Sequence, residues 1–252
     1  MRWILLRGLS REARHWGAFT MQFAQQCAHD EVVALDLPGS GEFYLQTSPA
    51  HVRDVVEFLR LQLRVKALLP PYNLLAMSLG GMVAADWAQR YPDEVTRLVL
   101  INTSMRPFSS APRRLRPANW PQLALLAARW SDADYAERAI HQLTCNLAAT
   151  MDKDMAAWRQ IRKTAPVSAA NVARQLLAAA RFSCASTAPA CSVLVLSSSA
   201  DYLVHPRCSA QLAAAWQASA HQHSWAGHDL PHDDAAWVSE KVAGWLAESA
   251  SD

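Results

Sequence analysis

The chain contains three short stretches whose residue types could together carry out nucleophilic catalysis. The first is Ala76-Met77-Ser78-Leu79-Gly80-Gly81, which falls between a run of β-forming residues, Tyr72 to Met77, and a run of helical composition, Leu79 to Gln89. A serine on so sharp a strand-to-helix turn projects its hydroxyl from the sheet edge, and small residues at Ala76 and Gly80 let strand and helix cross closely. A serine hydroxyl is a poor nucleophile at neutral pH, so it requires a base within hydrogen-bond reach and a third group to orient that base. His228, in Trp225-Ala226-Gly227-His228-Asp229, and Asp201, in Ser199-Ala200-Asp201-Tyr202-Leu203-Val204, each follow an expected strand and supply the base and the orienting acid. A serine that merely caps the following helix is the competing reading of Ser78. A small-x-Ser-x-Gly string alone is too common to decide between the two.

Other candidates fit these roles less well. His221 and His223 lie before or on the last expected strand, His205 stands too close to Asp201 to be its partner, and His232 opens the next helix. Asp233 and Asp234 are read as caps of the final helix. Asn102-Thr103-Ser104, after the fourth strand, offers no carboxylate. No His/carboxylate spacing suggests a metal site, and Gly39-Ser40-Gly41 lacks the third glycine and helix start of a dinucleotide fingerprint, so neither metal nor cofactor is expected.

The elements needed to position these groups can be read from periodicity. Strands are expected at Trp3 to Leu6, Glu31 to Leu35, Tyr72 to Met77, Val95 to Ile101, Val193 to Ser197 and His223 to Trp225. Helices are expected at Arg14 to Ala28, Val52 to Val65, Leu79 to Gln89, Pro206 to Ala218 and Asp233 to about Glu248. Strands that alternate with helices and are apolar on both faces imply a parallel sheet covered on each side, hence an α/β protein. Between Ser104 and Ala190 strand signals vanish, and prolines and helical segments take over. Ser131-Asp132-Ala133-Asp134 is read there as a capping box and Ser168 as an N-cap. Residues 105–190 carry 12 Lys/Arg against 5 Asp/Glu, whereas the remainder carries 12 against 17.

Composition sets outer bounds. The 252 residues are 51% hydrophobic and 18% charged with a net charge of +2, which describes a globular chain rather than a disordered or nucleic-acid-coating one. The 5 cysteines are scattered without a CxxC pair, so no disulfide framework or zinc site is suggested and a reducing, cytoplasmic setting is expected. The opening apolar run is broken by Arg7 and Gly8 too early for a secretory leader, and no stretch approaches the roughly 20 residues that span a bilayer. No nucleic-acid or membrane partner is expected.

Taken jointly, Arg7-Gly8-Leu9, Asp36-Leu37-Pro38-Gly39-Ser40-Gly41, the Ser78 turn, Asp201-Tyr202-Leu203-Val204 and Gly227-His228-Asp229 make the chain resemble the α/β-hydrolase superfamily over essentially its whole length. The order Ser78, Asp201, His228 is the order of that fold. The resemblance implies a mostly parallel sheet of about six strands flanked by helices. It implies core segments 1–104 and 191–252, and a helical cap at 105–190 over the strands' C-terminal ends. It further implies an oxyanion hole from the backbone N–H groups of Leu9 and Leu79. Three features depart from the family's usual motif. Ala76 replaces the first glycine of G-x-S-x-G, Arg7 stands where a histidine is usual, and Ser198 stands where glycine is common.

What the resemblance implies chemically is acyl transfer on a carboxylic ester or thioester without a cofactor. Arg7, Met77 and Arg106 are the residues assigned to substrate contact. Arg7 either attracts an anionic substrate or pairs with a nearby carboxylate. Arg106, Arg113, Arg114 and Arg116 could steer an anionic or carrier-linked partner. A C–C bond hydrolase or lyase using the same three residues is one alternative, and a non-catalytic ligand receptor is another.

Overall fold

A computed structural model describes residues 2–27 and 30–248. Six strands, β1 (Arg2–Leu6), β2 (Glu31–Leu35), β3 (Tyr72–Met77), β4 (Val95–Ile101), β5 (Ser192–Ser198) and β6 (Ser219–His223), form one sheet. Their spatial order is β2-β1-β3-β4-β5-β6 and every pairing is parallel. Parallel neighbours need crossovers, and helices supply them: α1 (Phe19–Gln26), α2 (Val52–Val65) and α3 (Leu79–Arg90) link the first four strands. Five helices lie between β4 and β5: α4 (Ala111–Arg114), α5 (Trp120–Ala128), α6 (Ala133–Thr144), α7 (Met151–Thr164) and α8 (Ala169–Arg181). Then α9 (Arg207–Trp216) joins β5 to β6, and α10 (Leu230–Asp233) and α11 (Ala235–Glu248) follow the last strand.

The central strands bury both faces because their side chains alternate with period two. Ile4, Leu6, Leu74, Ala76, Leu98, Leu100 and Val195 point into one core with α2, α3 and α9. Trp3, Leu5, Leu75, Met77, Val99, Ile101, Leu194 and Leu196 point into the other, with α1 and α11. A third core belongs to the helical stretch, where Leu126, Trp130, Ile140, Leu143, Met155, Trp158 and Ile161 pack together. That stretch is tied to the sheet side by a buried ion triad. Arg11, in the loop after β1, lies 2.6 Å from Glu137 of α6, which also binds Arg162 of α7 at 2.9 Å.

Four local expectations are corrected. The last strand is Ser219–His223, not His223 to Trp225; it is an edge strand whose first four residues are exposed, so nothing selects for the apolar pattern that marks the others. The helix expected from Arg14 to Ala28 is a short 3-10 turn, Ala13–Trp16, followed by α1; Gly17 at φ 53° separates them, and Ala28 lies outside the described residues. Asp132, rather than a box built on Ser131, caps α6 by accepting from Tyr135 N at 3.0 Å. Asp234 caps α11 through Trp237 N, but Asp233 turns away to bind the backbone N–H groups of Asn146, Leu147 and Gly227. Ser168 caps α8 through Asn171 N. Among the described residues no helix is long and apolar enough to cross a membrane.

Candidate active site

Ser78 sits between β3 and α3 with φ 53° and ψ −119°, a conformation costly for a residue with a side chain and held only where the surroundings over-determine it. The surroundings do so. Ser78 N donates to Ile101 O of β4, and Thr103 Oγ1 donates to Ser78 O at 2.7 Å. A Cβ on Gly80 would stand 2.5 Å from Arg7 O and 2.6 Å from Leu6 O, so α3 can cross the end of β1 only with glycine there. Ala76 is wholly buried in β3 and occupies the first small position of the turn. Gly8 runs alongside the serine, where an added Cβ would lie 3.0 Å from Ser78 Cβ and 3.5 Å from its Oγ. Leu9 and Leu79 are the residues next along the chain from Gly8 and Ser78.

Asp201 and His228 meet. Asp201 Oδ2 lies 2.7 Å from His228 Nδ1, while its Oδ1 accepts from Leu203 N and Val204 N at 2.9 Å each, and both side chains are buried. A carboxylate only accepts, so Nδ1 carries the proton and Nε2 keeps its lone pair, the tautomer a general base requires. Burial opposes charge on His228, but the Asp201 carboxylate and its hydrogen bond, with Asp229 adding to them, hold the imidazole above its ordinary value. Among the described residues no hydrogen bond joins Ser78 Oγ to this ring; such contacts are often long before substrate arrives.

Two residues not singled out as positioning groups in the sequence fix the loop that bears His228. Asn102, after β4 at φ 44°, donates through Nδ2 to the carbonyls of His228 (2.9 Å) and Gly227 (3.2 Å). It also bonds Ser198, donating to Oγ and accepting from its N–H, so the serine found where the resemblance leads one to expect glycine has a partner. Asp229 receives both ends of the Arg7 guanidinium, at 3.0 and 2.5 Å, and both side chains are buried. Burial opposes the charge of Asp229, yet Arg7 holds the carboxylate below its usual range. Arg7 also lies over the Trp16 ring at 4.7 Å. Asparagine after a strand and aspartate after histidine were visible in the sequence, but nothing there distinguishes them from ordinary turn residues.

The remaining candidates are placed as follows. Met77 is buried in the α1/α11 core at the end of β3. Arg106 is exposed and donates to the carbonyls of Phe182 and Arg181 at the end of α8. Arg114 donates to Ala179 O, and Arg116 to Asp201 O at 3.1 Å. Among the histidines set aside, His223 bonds Asp234 and His232 bonds Asp154. Two cavities, of about 440 and 190 Å³, flank α8, and Ser78, Asp201 and His228 line neither.

A six-stranded parallel sheet of this order with a strained serine after β3 defines an α/β hydrolase. Residues 3–241 match the model of the Alpha/beta hydrolase family, and the chain belongs to it. Among curated proteins it is 32% identical over 128 residues to a pimeloyl-[acyl-carrier protein] methyl ester esterase of Chromobacterium violaceum, an alignment covering 51% of this chain and 45% of that one. It is 26% identical over 99 residues to an (E)-2-((N-methylformamido)methylene)succinate hydrolase of Acinetobacter baylyi, covering 39% of this chain and 36% of that one. The matched part of the chain thus spans less than half the length of either relative. Among solved structures, a thermophilic esterase from Thermogutta terrifontis superposes with TM-score 0.76 at 23% identity, covering 98% of this chain and 90% of that one. The enol-lactonase from Burkholderia xenovorans gives 0.77 at 19%, covering 98% and 91%. These likenesses are of fold.

Proposed function

We propose that the protein is a serine hydrolase that cleaves a carboxylic ester or thioester through an acyl-enzyme on Ser78. The observation that carries this reading is the buried 2.7 Å contact between His228 Nδ1 and Asp201 Oδ2, which leaves Nε2 basic at the sheet end where Ser78 is held strained. In the proposed cycle Ser78 Oγ attacks the carbonyl carbon while His228 Nε2 takes its proton. Asp201 orients the ring and stabilises the imidazolium. The Leu9 and Leu79 amides bind the oxyanion, each donor being worth on the order of 3 kcal/mol in comparable enzymes. His228 then protonates the leaving group, and water, deprotonated by the same ring, releases the acid and restores Ser78.

Residues 105–190 act in this reading as a cap that shapes the acyl pocket. Their attachment to the site supports it, since Arg116 reaches Asp201 O and Thr144 O accepts from Asp229 N at 2.7 Å. The esterase relative whose substrate is linked to an acyl-carrier protein makes a carrier-linked ester a substrate class to test. Steering by the whole arginine group has less support, because Arg106, Arg114 and Arg116 each spend donors on backbone carbonyls. Arg7 acts here through Asp229 rather than on the substrate. The five free cysteines fit a reducing, cytoplasmic setting.

The test is labelling by a fluorophosphonate probe together with turnover of a panel of p-nitrophenyl esters and acyl thioesters. Ser78→Ala is expected to abolish labelling and lower turnover by roughly four to six powers of ten. A folded wild-type protein that neither labels nor turns over any member of the panel would favour the receptor reading instead.

A further inference from the structure

His141 and Cys145 stand one helical turn apart, the histidine in the last turn of α6 and the cysteine as its C-cap, which puts both on one face of the helix. His232 of α10 comes to meet them, four residues along the chain from His228. One ring nitrogen of each histidine and the cysteine sulfur lie within 4.8 Å of one another. His141 and Cys145 are buried and His232 is half-buried, so the cluster has one edge near the surface.

The hydrogen bonds define which nitrogens are free. Asp154 Oδ2 lies 3.0 Å from His141 Nε2 and 3.0 Å from His232 Nε2, and it also accepts from Thr150 Oγ1. A carboxylate oxygen only accepts, so each ring donates to it from Nε2, and a ring carrying that proton alone presents a bare lone pair on Nδ1. His141 Nδ1 is buried and has no hydrogen-bond partner. Leaving such an atom buried and unpaired is unfavourable.

From this we infer that His141 through Nδ1, Cys145 through Sγ and His232 through a ring nitrogen form a site for one zinc-class divalent ion at the seam between the helical stretch and the sheet. The donor set of two imidazoles and one thiolate suits zinc. Bond lengths of about 2.0–2.1 Å to nitrogen and 2.3 Å to sulfur put tetrahedral ligands roughly 3.5 Å apart, so closing on an ion needs a shift of about 1 Å. Asp154, on Nε2 of both rings, is the carboxylate that orients a ring ligating through Nδ1 and raises its basicity. Binding displaces the Cys145 thiol proton to solvent, leaving the thiolate on the ion. The ion would join α6 to α10 where Asp233 already bonds the amides of Asn146 and Leu147. A plain His–Asp–His network is the competing account, and it leaves His141 Nδ1 unexplained.

The test is Co(II) titration of the chelator-treated full chain, read by absorption, with Zn(II) competition and X-ray absorption of the zinc form. The expected result is one equivalent bound, with a near-ultraviolet sulfur-to-cobalt band and a zinc shell containing one sulfur. Cys145→Ser should lose the band and His232→Ala should bind at least tenfold more weakly. Asp154→Asn should bind roughly 10–100-fold more weakly. Cys191→Ser, at a cysteine outside the cluster, should keep the band. Absence of binding, a band that survives Cys145→Ser, or affinity unchanged in His232→Ala would overturn the site. Should Cys145→Ser fail to fold, the wild-type zinc shell decides, and a shell without sulfur overturns the site. None of these readouts depends on hydrolytic activity.

Discussion

Arg7 and Asp229 form a two-pronged, buried ion pair that joins the loop after β1 to the residue immediately following His228. The pair thus ties the Gly8 loop beside Ser78 to the loop that carries the base. Arg7 lowers and Asp229 raises the proton affinity of the His228 ring, so the pair offsets its own effect there. Removing either partner leaves an uncompensated buried charge.

Arg7→Met or Asp229→Leu alone is therefore expected to cost about 3–5 kcal/mol, and the double substitution much less than the sum. Urea denaturation of the four proteins measures the coupling. Additive losses would show that the two charges do not interact.

The raised proton affinity of His228 sets a pH dependence. The base works only when neutral, so kcat/KM should rise with pH along a limb whose midpoint lies above the ordinary histidine value of about 6.5. The sign for stability is opposite: the favourable interactions of the charged ring are complete below about 6.5 and are lost as pH rises through the folded-state value. A pH–rate profile on one good ester substrate checks the first, and Tm against pH checks the second. An activity limb centred well below 6.5 would contradict the Asp201 contact.

Gly80→Ala should damage both fold and activity, because its methyl would meet the backbone oxygens of Arg7 and Leu6 rather than a flexible side chain. A cost of about 1–3 kcal/mol is expected, together with a large fall in kcat as the turn holding Ser78 is displaced. Gly244→Ala is the control. A Cβ there meets nothing within 4 Å, and its stability should hold or improve.

Asn102→Gly keeps the backbone freedom that φ 44° demands while removing the amide that holds Ser198 and the His228 loop. Stability should fall by about 1–3 kcal/mol. If Asn102 positions the base, kcat should fall with KM nearly unchanged, whereas a purely structural role would leave kcat intact. Kinetics on the folded variant at low temperature separates the two.

Much of this architecture was legible because it rests on local rules. The spans of β3, β4 and α2 coincide with their apolar periodicity, since central strands and an amphipathic helix bury what their side chains display, and β2, though at the sheet edge, is marked by its run Val32-Val33-Ala34-Leu35. The last strand escaped because an edge strand of Ser219-Ala220-His221-Gln222-His223 displays no large apolar side chain. Asp233 looked like a cap because caps are the usual use of an aspartate at a helix start. Two of its three backbone partners, Asn146 and Leu147, lie in the helical stretch and could not be foreseen from its neighbours.

The sequence by itself determined the α/β alternation and the serine turn, because strand period and turn chemistry are properties of nearby residues, and it offered the candidate trio Ser78, Asp201 and His228 through short motifs after expected strands and the order that the family resemblance implies. Only the tertiary structure decided that Arg7 is matched by Asp229, that Asn102 holds Ser198 and the His228 loop, and that His141, Cys145 and His232 converge under Asp154. Each of these is a contact between elements distant along the chain. Buried charges and lone pairs find partners by how helices and loops pack, and no local pattern encodes that geometry.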